Sequence, residues 1–246
     1  MKKLLNLLLA NKDRGKSAAV NQDGGTLKIT IDDVIYGDGW GFGSSNLRDM
    51  LSNFSGDRIE IYLNSPGGDV FEARTMCSML ARQAAHKVVY IDGLAASCAS
   101  WLALSGDEVV MASGTRMMVH RSWCLSLDNC VGLRKTADIL ESLDEDIIND
   151  YMAAVQAHGK DTTREAMREY VDAETWFTPE QALDVGLIDR IEGKKADNAA
   201  NFDLSAFENA PKPDEAAPKK AEKAEKTDAA IADLVARNER HLRIMT

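Results

Sequence analysis

From residue 26 onward, apolar and polar positions alternate. Leu27, Ile29 and Ile31 stand against Lys28, Thr30 and Asp32. That period of two predicts a half-buried strand over 26–36. The spacing then lengthens to a helical one through Leu47, Met50, Leu51 and Phe54, with Ser44 or Ser45 available as a cap. Residues 58–63 read as a strand ending in Asn64-Ser65-Pro66-Gly67-Gly68. Residues 70–84 have helical spacing through Phe71, Met76, Met79 and Leu80, and 87–91 is the next strand. A small-residue helix is predicted over 95–104, followed by short strands at 108–111 and 117–120. Leu133, Ile139, Leu140, Leu143, Ile147 and Tyr151 mark one long helix over 131–158. A short helix over 179–185 opens on Pro179 and closes at Gly186, and 187–191 ends the series as a strand. Strands alternating with helices predict an α/β fold with a mostly parallel sheet.

The ends have a different texture. Residues 11–25 are polar and read as a loose lead-in. The apolar run in Met1-Lys2-Lys3-Leu4-Leu5-Asn6-Leu7-Leu8-Leu9-Ala10 is short, broken by Asn6, and lacks a small-x-small cleavage site. It reads as a docking helix or arm and not as a leader peptide. From Gly193 to Lys226 Ala, Lys, Glu, Asp and Pro dominate, which predicts a flexible linker. Ile231, Leu234, Val235, Leu242 and Met245 fall roughly on one side of a C-terminal helix, which is either a frayed tail or a partner-binding element. The expected organisation is an arm over 1–25, a folded domain over 26–192, a linker over 193–226 and a terminal helix over 227–246.

Composition narrows the function classes. At 246 residues the chain holds one good-sized domain plus an appendage. A formal charge of −10 argues against nucleic-acid backbone binding. The charges of the linker roughly balance, so the acidity belongs to the folded body. No run approaches the ~20 apolar residues needed to span a bilayer, so no membrane partner is expected. Cys77, Cys98, Cys124 and Cys130 form no CxxC pair and show no metal spacing with histidine, which fits a reduced, cytoplasmic setting. No metal or other cofactor is called for. The glycines of 37–43 are spaced G-x-G-x-G-x-G, unlike a dinucleotide fingerprint, and read as a turn.

The candidate chemistry lies in Gly93-Leu94-Ala95-Ala96-Ser97-Cys98-Ala99-Ser100. A serine among small residues, directly after the apolar run 88–91, is what a nucleophile at a strand-to-helix turn requires. It needs a base in hydrogen-bond reach and donors for the oxyanion. His120, one of four histidines, alone follows an apolar strand, Met117-Met118-Val119. The backbone N–H of Cys98 would sit at a helix start. Asn64-Ser65-Pro66-Gly67-Gly68 lies at the carboxyl end of a strand, where open α/β sheets bind ligands, and Gly68 offers a second N–H. Asp172 and Glu174 are the acids available to orient the imidazole. Without a histidine partner, the same serine would be a satisfied residue in a buried helix. No G-x-S-x-G occurs, and the order serine, histidine, acid differs from that of the α/β-hydrolases.

Four blocks in order, Asn64 to Gly68, Gly93 to Ser97, Met118-Val119-His120 and Gly186-Leu187-Ile188-Asp189, resemble the ClpP family of self-compartmentalising serine peptidases over about 26–192. The block Glu174-Thr175-Trp176-Phe177-Thr178-Pro179-Glu180-Gln181-Ala182 is most similar to the phage and prophage head-maturation (prohead) branch. The resemblance implies a ClpP/crotonase-like fold of repeated β-α-β units with a projecting handle helix. It implies Ser97 as nucleophile, His120 as base, and Gly68 and Cys98 as oxyanion donors. Counted back from the Gly-Leu-Ile-Asp block, the family's aspartate falls on Glu174, with Asp172 as the alternative. Arg121-Ser122 replaces the Gln-Pro usual after the histidine, a change that touches the substrate groove. Residues 121–158 match the handle that joins subunits, so a homo-oligomeric ring is implied.

The expectation is a serine endopeptidase acting on protein substrates, namely capsid or scaffold proteins during head assembly and its own tail. Its rivals are a proteolytic subunit served by a separate ATPase unfoldase, an inactive assembly protein that keeps the fold, and a crotonase-type acyl-CoA enzyme.

Overall fold

The computed structural model describes residues 3–11, 17–37, 39–195 and 202–211. The chain opens with helix α1 (Lys3–Asn11) and strands β1 (Ser17–Asp23) and β2 (Thr26–Asp32). Helix α2 (Ser44–Leu51), strand β3 (Arg58–Ser65), helix α3 (Val70–Ala81) and strand β4 (His86–Ala96) follow. Helix α4 (Cys98–Ala103) leads to strands β5 (Glu108–Ser113) and β6 (Arg116–Val119). Helices α5 (Cys130–Ala157) and α6 (Arg164–Asp172), strand β7 (Thr175–Phe177), helix α7 (Pro179–Val185) and strand β8 (Arg190–Lys195) complete the order.

Among the described residues one eight-stranded sheet runs β1-β2-β3-β4-β5-β8, with β6 joined to β4 and β7 joined to β6. From β2 to β8 the main path is parallel, and β1 is antiparallel on the edge. The α/β expectation with repeated β-α-β units therefore holds: α3 links β3 to β4, and α4 links β4 to β5. Buried Ile29, Ile59, Ile61, Val89 and Ile91 pack with Met76, Leu102 and Ile147 into the main core. Each such side chain contributes about 1.5–3 kcal/mol by leaving water.

Strand β4 is the pivot of the fold. Val88 to Ile91 pair with β5, and after a bulge Leu94 to Ala96 pair with β6. The expected helix start at 95 is thus corrected to 98. Ala95 and Ala96 are good helix formers, but their pairing with Met117 and Met118 and their complete burial override that propensity. Alternation along β4 sends Ala95 into the main core and Leu94 and Ala96 into a second cluster on the other face.

The ends also depart from expectation. Part of the lead-in is strand β1, closed onto β2 by Gly24 and Gly25, whose φ of 54° and 87° suit a tight hairpin. The expected linker over 193–226 is described at 193–195, which continue β8, and at 202–211, which pack down. There Phe202, Ala206 and Phe207 are buried with Leu7 of α1, Leu94, Ala96 and Met118. Strand β7 and helix α6 were not expected from the apolar pattern. The predicted terminal helix over 227–246 lies outside the described residues. No helix among the described residues is long and apolar enough to cross a membrane.

Candidate active site

Ser97 sits between the last residue of β4 and the first of α4, with φ 55° and ψ −133°. A serine seldom adopts that conformation, which is held only when its surroundings over-determine it. Here they do. Ser97 N donates to Met118 O at 3.0 Å, and Ser97 O accepts from Ser100 N at 2.9 Å and Ser100 Oγ at 2.6 Å. Ser100 Oγ also lies 2.7 Å from the hydroxyl of buried Tyr151 on α5, which ties the turn to the long helix.

His120 follows the last residue of β6, the strand that pairs with the end of β4. That pairing carries the imidazole across to the serine, and His120 Nε2 lies 2.7 Å from Ser97 Oγ. The rings of Trp123 and Phe207 stand edge-on to the imidazole at centroid distances of 5.4 and 5.6 Å. A cavity of about 20 Å³, room for one small group, opens between Ser97, His120, Gly68, Trp123 and Tyr151.

Gly67 and Gly68 close the opposite wall. Gly67 has φ 86°, and a Cβ there would stand 2.6 Å from Ala96 O and 2.7 Å from Ser97 Cβ. Gly67 O accepts from Ile35 N, and Asp69 N donates to Ile35 O, so the intervening Gly68 N–H faces away from that strand-like contact. Gly68 lines the same cavity as Ser97 and Cys98. Cys98 N is the first amide of α4, a position with no partner inside the helix. Burial pushes the Cys98 thiol far up, so it is not a competing nucleophile. Replacing Gly67 by alanine is expected to cost about 1–3 kcal/mol in thermal unfolding. By displacing Ser97 it should also cut peptide cleavage by about 100-fold.

The two acids diverge. The antiparallel ladder of β6 with β7 ends at Val119 opposite Thr175; His120 follows β6 and Glu174 precedes β7. Glu174 has φ 50°, the second non-glycine residue of positive φ after Ser97 among the described residues. Its carboxylate accepts from Asn209 N at 2.7 Å, Glu208 N at 3.1 Å and Trp176 Nε1 at 3.4 Å. Asp172 instead accepts from Arg121 Nε at 2.7 Å. Arg121 also reaches Asp144 of α5 at 3.5 Å, and Asp144 accepts from Ser122 N at 2.7 Å. Burial raises the Asp144 carboxyl, against the opposing pull of Ser122 and Arg121. The residues after the histidine are thereby fastened to the long helix.

Sequence reasoning brought Ser97 and His120 together and missed Ser100, Tyr151, Asp144 and Phe207. Ser100 and Tyr151 read as core residues, because nothing in their spacing marks a contact between α4 and α5. For Phe207 a signal existed: Phe202, Leu204 and Phe207 are apolar within an otherwise polar stretch.

Comparison with known proteins bears on the family and the fold. The Clp protease family profile matches residues 48–195. The ATP-dependent Clp protease proteolytic subunit 3 of Rhodococcus jostii is 28% identical over 143 residues, covering 57% of this chain and 68% of the relative. The ATP-dependent Clp protease proteolytic subunit of Deinococcus radiodurans is 25% identical over 142 residues, covering 57% and 67%. A solved ClpP1 mutant from Listeria monocytogenes superimposes with a TM-score of 0.57 at 20% identity, over 68% of this chain and 92% of that one, which shows a shared fold. The chain belongs to the Clp protease family.

Proposed function

We propose that this member of the Clp protease family is a serine endopeptidase in which Ser97 and His120 carry out acyl transfer. The observation that supports it most is the 2.7 Å approach of Ser97 Oγ to His120 Nε2 at a strained strand-to-helix turn. Ser97 Oγ attacks the peptide carbonyl carbon while Nε2 takes its proton. The oxyanion is received by the N–H groups of Cys98 and Gly68. Nε2 returns the proton to the departing amine as the C–N bond breaks, leaving an acyl-enzyme on Ser97. A water activated by the same imidazole then releases the acid. Glu174, on which the family's aspartate falls when counted back from the Gly-Leu-Ile-Asp block, is the third member in this reading, and Asp172 is the alternative. Incubation with an unfolded protein and hydroxylamine tests the scheme. Peptide hydroxamates, formed by capture of the acyl-enzyme, are the expected product; cleavage with no hydroxamate contradicts it.

The substrates in this reading are proteins. The phage assignment, processing of capsid or scaffold proteins, rests on the likeness of the block 174–182. The named relatives favour a second reading, a proteolytic subunit served by a separate ATPase. Degradation of a folded protein only when an unfoldase and ATP are added selects the second.

Assembly into a ring is part of the proposal. Leu127, just before α5, and Val131 and Leu133, in its first turn, are 62%, 58% and 45% exposed, unusual for large apolar side chains. Val131→Asp together with Leu133→Asp is expected to lower the mass seen by sedimentation to that of a smaller assembly. An unchanged mass places the contact elsewhere.

A further inference from the structure

The segment 202–211 is the least expected part of the molecule, and it ends at the reacting pair. Phe202, Ala206 and Phe207 are buried against α1, the end of β4 and β6. Phe207 stands edge-on to His120 and also meets the Trp123 and Trp176 rings at 5.7 Å. Asn11 clamps the start of the segment, accepting from Asp203 N at 2.9 Å and donating through Nδ2 to Asp203 O at 3.1 Å. At the other end the Glu208 and Asn209 N–H groups bond the two oxygens of Glu174, and Asn209 Nδ2 donates to Ala173 O at 2.8 Å.

We propose that 202–211 is an intramolecular latch: docked beside His120, it holds the Glu174 carboxylate on its own backbone and so restrains the acid that the reaction needs. This rests on the serine peptidase reading and on Glu174 as its acid. A carboxylate bonded to two amides is tied to one rotamer. Release of the segment removes both backbone donors and leaves the carboxylate the 3.4 Å contact from Trp176 Nε1. The surface of Leu94, Met118, Trp123 and Trp176 is then an internal docking site whose occupant is this chain's own residues. Its occupation and the orientation of His120 are alternatives for one carboxylate.

The test uses the full chain and the rate at which a fluorophosphonate labels Ser97. Asn209→Pro removes the shortest N–H donor to Glu174, and Phe207→Ala removes the ring that anchors the segment. Loss of one hydrogen bond to a charged group shifts the docked population by about tenfold, so each variant should label about tenfold faster. The gain should vanish when Glu174→Gln is added. Amide exchange across 202–211 should quicken in both variants. Unchanged or slower labelling, or an equal gain with Glu174→Gln, overturns the latch while leaving the peptidase reading standing. Unchanged exchange in both variants refutes Phe207 and the Asn209 amide as its holding groups. Absence of Ser97 labelling in every form overturns the peptidase reading and the latch with it.

Discussion

Replacing Ser97 with alanine is expected to lower peptide cleavage by about 10⁶-fold, the scale on which a nucleophile acting as one unit with its base is lost. The residual rate would come from the oxyanion donors and substrate binding alone. Stability should change by less than about 1 kcal/mol, because the contacts that fix the turn are main-chain ones: Ser97 N to Met118 O and Ser97 O from Ser100. His120→Ala should cost about as much, and the double variant little more, since the two atoms 2.7 Å apart act in one step. Both are read from kcat/KM on a short peptide beside thermal unfolding. Cleavage by the Ser97 variant within tenfold of the unaltered chain would require another nucleophile. Cys98 is not one, its thiol being fully buried and held protonated.

The second large effect separates the two acids. Glu174→Ala is expected to lower kcat by about 10²–10⁴-fold, the range for loss of a group that fixes the imidazole tautomer. Asp172→Asn should change kcat by less than about threefold. Its carboxylate serves Arg121, and a half-exposed ion pair of this kind is worth about 0–1 kcal/mol of stability. The count back from the Gly-Leu-Ile-Asp block, which falls on Glu174, and the engagement of Asp172 by Arg121 underlie this ranking. The reverse order of effects would hand the role to Asp172.

How much of this could be read in the chain depends on the range of the contacts involved. The strand expected over 26–36, of which Thr26–Asp32 forms β2, the strand 58–63 and the long helix from 131 were legible because each buries one face at its own period. Ser97 and His120 were legible as residue types placed after apolar runs. The end of β4 was not: Ala95 and Ala96 suit a helix locally, and only their pairing with Met117 and Met118, about twenty residues away, keeps them extended. Strand β7 has three residues, too few to show a period. The segment 202–211 was obscured by its neighbours. Averaged over 193–226 the composition is that of a linker, and three apolar side chains decide otherwise once α1 and the β4–β6 face are there to receive them. Composition reports what a segment could bury alone, and this one is buried by its partners.

The central claim is that Ser97, held at a strained turn against His120, is the reacting group. Treatment of the purified full chain with a fluorophosphonate, followed by peptide mapping in a mass spectrometer, tests it most directly. One adduct on the peptide carrying Ser97, lost in His120→Ala, is the predicted result. No adduct, or an adduct on any other residue with Ser97 unmodified, would contradict it.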